Sequence, residues 1–125
     1  MALDLTGQLS EIFDDYQRDF KRKVNNSVDK VGKESVQKLK NTSPKKTGDY
    51  ARGWRLKHER GRNGINDVTI HNATDYHLTH LLENGHVIRN KKGTYGRAPA
   101  HKHIAPVEEY FNSEVVEEIQ RELEQ

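Results

Sequence analysis

Histidine is the side chain best suited to chemistry near neutral pH, and seven histidines occur in this sequence, five of them between positions 77 and 103. His77 and His80 stand three apart on a predicted helix, a spacing that lets both reach one ion, and His101 and His103 can add ligands. The rest of a metal centre is thin. There is no Cys and no HExxH, and the nearby acids are Asp75 and Glu83. No carboxylate is evident for working with a metal-bound water. The histidines are therefore read as surface, packing or hydrogen-bonding residues. A His-dependent metal protein is the rival, testable by elemental analysis.

Nucleophilic chemistry has less support. No Ser lies in a GxSxG turn, and no thiol is available. Lys92-Gly93-Thr94-Tyr95-Gly96 is a glycine-bearing loop without the following helix that a phosphate cradle needs. The pair Glu108-Glu109 reads as acid placed near a helix N-terminus, where it offsets the helix dipole. These readings predict neither an enzyme nor a cofactor.

Basic residues carry a further signal. Lys38, Lys40, Lys45, Lys46, Arg52, Arg55 and Lys57 cluster near Tyr50 and Trp54. Cations interleaved with aromatics can bind phosphates and stack bases. A small DNA-binding protein using residues 38–57 is thus one reading. The other makes Trp54 a core residue, since a chain with one Trp and three Phe can scarcely spare it for the surface.

Composition bounds the class. The chain has 125 residues, one domain's worth, with 32% hydrophobic and 32% charged residues. A core this lean favours burial against copies or partners. The net charge of +2 conceals an asymmetry. Residues 18–60 hold fourteen Lys/Arg against five acids, and residues 104–125 hold one Arg against seven Glu. Solvated helix faces, head-to-tail complementarity between subunits and a basic face toward DNA all fit. No signal peptide is read at the N-terminus, and no apolar run is long enough for a bilayer.

The elements that must position these residues follow from periodicity. Leu5, Leu9, Phe13, Tyr16, Phe20, Val24, Val28, Val31, Ser35 and Leu39 recur at steps of three and four, predicting a helix that ends near Lys40. Thirty-five helical residues would measure roughly 50 Å, against a domain diameter of about 35 Å. The helix must either break, at Asn25-Asn26-Ser27 or Gly32, or lie on a neighbour. Asn41-Thr42-Ser43-Pro44 is turn chemistry. Strands are expected at 54–59, 67–72 and 86–89, with a turn at Gly61-Arg62-Asn63-Gly64. A short helix over 75–84 is expected to be capped by Thr74 and stopped by Gly85. Residues 89–103 read as an exposed basic loop, and Pro106 opens a C-terminal helix with the stripe Val107, Phe111, Val115, Ile119 and Leu123.

Three segments occur in a telling order: Ser43-Pro44-Lys45-Lys46-Thr47-Gly48-Asp49-Tyr50 running to Trp54, then Asn72-Ala73-Thr74-Asp75-Tyr76 running to Gly85-His86, then Ala98-Pro99-Ala100-His101-Lys102-His103-Ile104-Ala105-Pro106. This arrangement resembles the tail-component family of tailed bacteriophages, the head–tail connector and tail-completion proteins of the virion neck. Members share a Pro-x-Lys-Thr-Gly stretch before the first strand, an Asn…Tyr…Glu-x-Gly segment and a Pro-Ala opening of the last helix. The likeness covers about residues 40–120. The chain departs from it at Asp49-Tyr50, at Tyr76-His77-Leu78 and at His103-Ile104.

The expectations are then as follows. The fold is α+β and the chain a single domain: an N-terminal helix (1–40), a middle region of sheet, short helix and loop (41–104), and a C-terminal helix (105–125). The two long helices pack on one face of a small, mainly antiparallel sheet. The resemblance implies a structural protein of a phage or prophage virion, assembled in the bacterial host cytoplasm, that joins head to tail or completes the tail. Its partners would be the connector, tail terminator or tail tube, and further copies of itself, a ring among the forms. Lys91, Lys92, Tyr95, Arg97, His101 and Lys102 are the expected contact residues of the loop, with Lys45, Lys46 and Arg52 as a second patch.

Overall fold

The computed structural model describes residues 5–45 and 47–125, with the backbone alone at Leu5, Thr6, Asn90 and Tyr95. In chain order the elements are α1 (Leu5–Thr42), α2 (Asp49–Arg52), β1 (Trp54–Arg60), β2 (Asn66–Asn72), a 3₁₀ turn (Tyr76–Leu78), α3 (Thr79–Asn84), β3 (His86–Asn90), β4 (Gly93–Ala98) and α4 (Ile104–Leu123). The α+β class holds.

The 38 residues of α1 run without a break, about 57 Å from end to end. Neither Asn25-Asn26-Ser27 nor Gly32 interrupts it. Ser27 back-bonds to the Lys23 carbonyl at 2.9 Å, so its hydroxyl is satisfied inside the helix. Gly32 gives room for Leu56, whose methyls lie 3.0 and 3.1 Å from where a Cβ would stand. α1 is the spine. α4 packs along it through Lys30–Glu118 (3.0 Å), Tyr110–Glu34 (2.7 Å) and the Lys38 ammonium, 4.3 Å above the Tyr110 ring. The β1–β2 hairpin packs along it through Asn25, which holds the Gly64 carbonyl and the Asn66 amide, and through Asp29, 3.0 Å from His58. Val24, Ser27, Val31, Ser35 and Leu39 are buried on the stretch so covered.

The stripe does not stay buried. Leu9, Ile12, Phe13 and Tyr16 are 59–68% exposed, and Phe20 is 38% exposed. The Lys23 ammonium meets the Gln125 carbonyl, so α4 ends near the level of Lys23. The first four turns of α1 overhang the end of α4, with Asn63 and Ile65 of the hairpin turn beside Phe13, Tyr16 and Phe20.

β1 and β2 pair antiparallel from Trp54↔Asn72 to Arg60↔Asn66, and the alternation that predicted them is visible in their burial. Two expectations require correction. The sheet is not single. β3 pairs antiparallel with β4 as a separate ribbon, from His86↔Ala98 to Asn90↔Gly93, so the long basic loop is half strand. Gly93 (φ 135°) and Gly96 (φ 109°) supply backbone conformations that other residues avoid, and both faces are wet enough to erase apolar alternation. Nor do both long helices cover the sheet. α1 lies against the hairpin, and α4 lies against α1, reaching Trp54 through Val107 in its first turn.

Local chemistry differs at two points. Thr74 caps no helix. Instead Asn72 Oδ1 accepts from the Thr74 and Asp75 amides (3.2 and 2.8 Å), an Asx turn that starts the 3₁₀ turn. α4 opens two residues before Pro106, which the first turn tolerates because its N–H would be unbonded there. Gly85 does stop α3, at φ 76° and ψ 170°, a region almost confined to glycine. A Cβ there would stand 2.7 Å from the Ala98 carbonyl oxygen. Gly85→Ala should therefore cost about 2 kcal/mol, measured by denaturant unfolding. A loss below about 0.5 kcal/mol, the range of ordinary surface substitutions, would show that the junction relaxes freely.

Candidate assembly surfaces and the node that positions them

The three segments that stood in order along the sequence meet at one buried node. Tyr50, from α2, places its hydroxyl 2.7 Å from His103 Nε2. His103 Nδ1 lies 2.7 Å from the His101 carbonyl and 3.1 Å from Glu83 Oε1. Two acceptors at Nδ1 put the proton there, leaving Nε2 to accept from Tyr50. The Glu83 carboxylate accepts the His103 and Ile104 amides at Oε1 (2.9 and 2.8 Å) and the Ala105 amide at Oε2 (3.0 Å). It thus caps α4 from a different helix. Trp54 stands edge-on to both Tyr50 and His103, with ring centroids 5.6 and 6.2 Å away, and donates from Nε1 to Ser43 Oγ at 2.8 Å. Asn72 donates to the Tyr50 carbonyl at 2.7 Å.

Electrostatics follow from this geometry. Burial pushes the Glu83 carboxyl upward, but three backbone N–H donors and His103 outweigh it and hold the group below its ordinary range. Burial, then the Glu83 charge, pushes the Tyr50 phenol up to about 12. A Glu–His–Tyr series resembles proton-transfer machinery. Here every member is buried and satisfied by the protein, and the pocket beside it is lined mainly by apolar side chains, Leu39, Trp54, Val68, Ile70, Ile104, Val107 and Phe111, with Glu108 among them. The node positions loops.

Sequence reasoning missed Glu83 as the cap and read Glu108-Glu109 only as acids offsetting the helix dipole. Those residues lie in the second turn of α4, whereas the orphan amides belong to the first. A Glu closing α3 just before Gly85, in a chain whose last helix starts without a Ser, Thr, Asp or Asn cap, was the available signal.

The expected contact residues divide. Lys91 and Lys92 occupy the exposed turn of the β3–β4 ribbon. Tyr95 is on β4, its side chain outside the described set. Arg97, near the ribbon's base, donates to the Asn84 carbonyl (3.3 Å) and Lys102 to the Asn84 side chain (3.0 Å). His101 is turned to an internal task, with Nε2 3.1 Å from the Thr42 carbonyl at the end of α1. Lys91 and Lys92 thus stand at the tip of the ribbon, whereas Arg97, His101 and Lys102 lie at or beyond its base. In the second patch, Lys45 is exposed, Arg52 pairs with Asp49 at 2.6 Å, and Lys46 lies outside the described residues.

The basic 38–57 region does not present its aromatics. Trp54 and Tyr50 are buried, as the core reading of Trp54 required, so neither can stack a base. Lys57 pairs with Glu59 (2.8 Å). Among the described residues no group of three His, Asp or Glu is placed to hold a metal, and His77 and His80 are exposed. Among the same residues no helix is long and apolar enough to cross a membrane.

Residues 7–85 match the family model described as "Bacteriophage HK97-gp10, putative tail-component". The match runs from α1 through the hairpin to the glycine that stops α3, more than half of the chain. No curated protein and no solved structure matches the chain.

Proposed function

The chain belongs to the HK97-gp10-like family of bacteriophage tail components, and we propose that it serves at the neck, joining head to tail or completing the tail before joining. In this reading it is a structural protein of a phage or prophage virion, assembled in the host cytoplasm, and performs no chemical step. Connector, tail terminator or tail tube proteins are its partners, and surface complementarity is the mechanism.

The observation that carries the reading is the overhang of α1. A helix that leaves Leu9, Ile12, Phe13, Tyr16 and Phe20 in water is unfinished by itself, and large exposed apolar patches mark interaction sites. The basic ribbon is a second projection of the same kind. Deleting the gene from the phage and complementing it in trans gives the test. Unjoined heads and tails should accumulate without the protein, complementation should restore infectious particles, and the protein should be found in purified virions. Normal yields of joined particles from the deletion phage would end the proposal.

A further inference from the structure

Much of the positive charge in this molecule is answered by nearby acid. Arg18, Arg22 and Lys23 pair with Asp15 and Asp19, Lys33 with Asp29, Arg52 with Asp49, Lys57 with Glu59, and Arg121 with Glu114 and Glu118. The β3–β4 ribbon and its base are different. Between Glu83 and Glu108 the chain carries Arg89, Lys91, Lys92, Arg97 and Lys102 and no acid. Of the two flanking acids, Glu83 is buried on three amides, and Glu108 lies on the hairpin side of α4 with Leu39, Trp54 and Ile70. Among the described residues, Arg89, Lys91, Arg97 and Lys102 enter no ion pair. Arg97 and Lys102 bond neutral oxygens of Asn84, which aims them without cancelling their charge.

The ribbon is also shaped for a groove. β3 and β4 pair as two strands alone, about 16 Å long. Arg89, Lys91, Lys92, Thr94 and Arg97 are exposed along it, with the two lysines at the tip. At Gly93 and Gly96 a Cβ would meet nothing within 4 Å, so the backbone there is open to close approach. Beyond the base the basic surface continues, because Lys102 and Lys38 line one cleft with Thr42 and Tyr110 at the end of α1.

We infer that the ribbon is a contact surface for duplex DNA, held through the phosphates and indifferent to sequence. Protein–protein interfaces are depleted in Lys, whereas surfaces that meet DNA are far more positively charged. A segment with three Lys, two Arg and no acid fits the second kind. The major groove of B-DNA admits a two-stranded ribbon, and that of A-form RNA is too narrow for side chains to read. Single strands are held by stacking as well as by charge, and Tyr50 and Trp54, which interrupt the basic 38–57 segment, are buried. The inference goes beyond the neck reading and does not rest on it.

Fluorescence anisotropy with the purified full chain and a mixed-sequence duplex of about 30 base pairs tests it. Log K should fall with log salt at a slope of about −4, near 0.9 for each phosphate met by the ribbon and its base. Affinity should therefore drop roughly 80-fold from about 50 to about 150 mM salt. Arg89→Gln/Lys91→Gln should bind at least about 10-fold more weakly, with a slope shallower by about 2. Arg60→Gln/Arg62→Gln removes the same charge at the turn of the β1–β2 hairpin, about 25 Å away along α1, and should leave affinity within about 3-fold. Circular dichroism should show both variants folded as the wild type. Absence of duplex binding at about 50 mM salt would overturn the inference. So would a ribbon variant that binds no more weakly than the hairpin variant, or duplex RNA bound as tightly as DNA. Poly-glutamate that competes as well as unlabelled duplex would assign the ribbon to an acidic protein and overturn it equally. None of these readouts depends on the deletion phage, so failure here and failure of the neck assignment are told apart.

Discussion

Glu83→Ala should remove about 3–5 kcal/mol of unfolding free energy, the cost of stripping a buried carboxylate from its partners. Three amides at the start of α4 lose their acceptor, and His103 loses the oxygen 3.1 Å from Nδ1. Denaturant unfolding measures the loss, and a loss below about 1 kcal/mol would mean that water replaces the carboxylate at little cost. The pH dependence is a second signature. A carboxyl held below its ordinary range in the folded state binds its proton more readily when unfolded. Its stabilisation is therefore present above the unfolded value and is lost as pH falls through the folded one. Glu83→Gln carries no such proton. The gap in stability between wild type and Glu83→Gln should be full at pH 7 and shrink as pH falls below the ordinary glutamate range. A gap that stays constant over that range would show that Glu83 does not act as a charge.

Trp54→Ala should cost about 3–5 kcal/mol, because it empties a site shared by Tyr50, Leu39, Val107 and His103. Trp54→Phe separates packing from hydrogen bonding. It keeps an aromatic edge against Tyr50 but leaves Ser43 Oγ without the indole N–H, and should cost about 1–2 kcal/mol. Equal losses in the two variants would contradict the packing argument. If Trp54 served to stack bases instead, Trp54→Phe would weaken a salt-dependent affinity for DNA while leaving stability unchanged.

The sequence showed its long-range order better than its local chemistry. The stripe of α1, the alternation from Trp54 to Glu59 and the stop at Gly85 are strong periodic or stereochemical signals, and all three appear in the structure. Of the β3–β4 ribbon only the first strand was legible; β4 was hidden because Gly93-Thr94-Tyr95-Gly96-Arg97-Ala98 lacks the apolar alternation of a half-buried strand. Periodicity also cannot say which part of a stripe is covered. Val24 and Phe20 belong to one pattern, yet Val24 is buried and Phe20 is exposed, because α4 ends between them. The node was legible only as three ordered segments. That Tyr50, Glu83 and His103 converge depends on the path of two loops, which no local spacing encodes.

That convergence separates two boundaries that are easily equated. The match to the family model stops at Gly85, but the acid just inside it, Glu83, is satisfied by amides at 103–105. During synthesis at roughly 5–20 residues per second, that carboxylate emerges about 1–4 seconds before its donors. Until then Tyr50 lacks its imidazole as well. The matched stretch is therefore not by itself a unit of folding. A fragment cut at its edge would hold a charge meant for burial with nothing to receive it, and the last helix is what completes the part of the chain that precedes it.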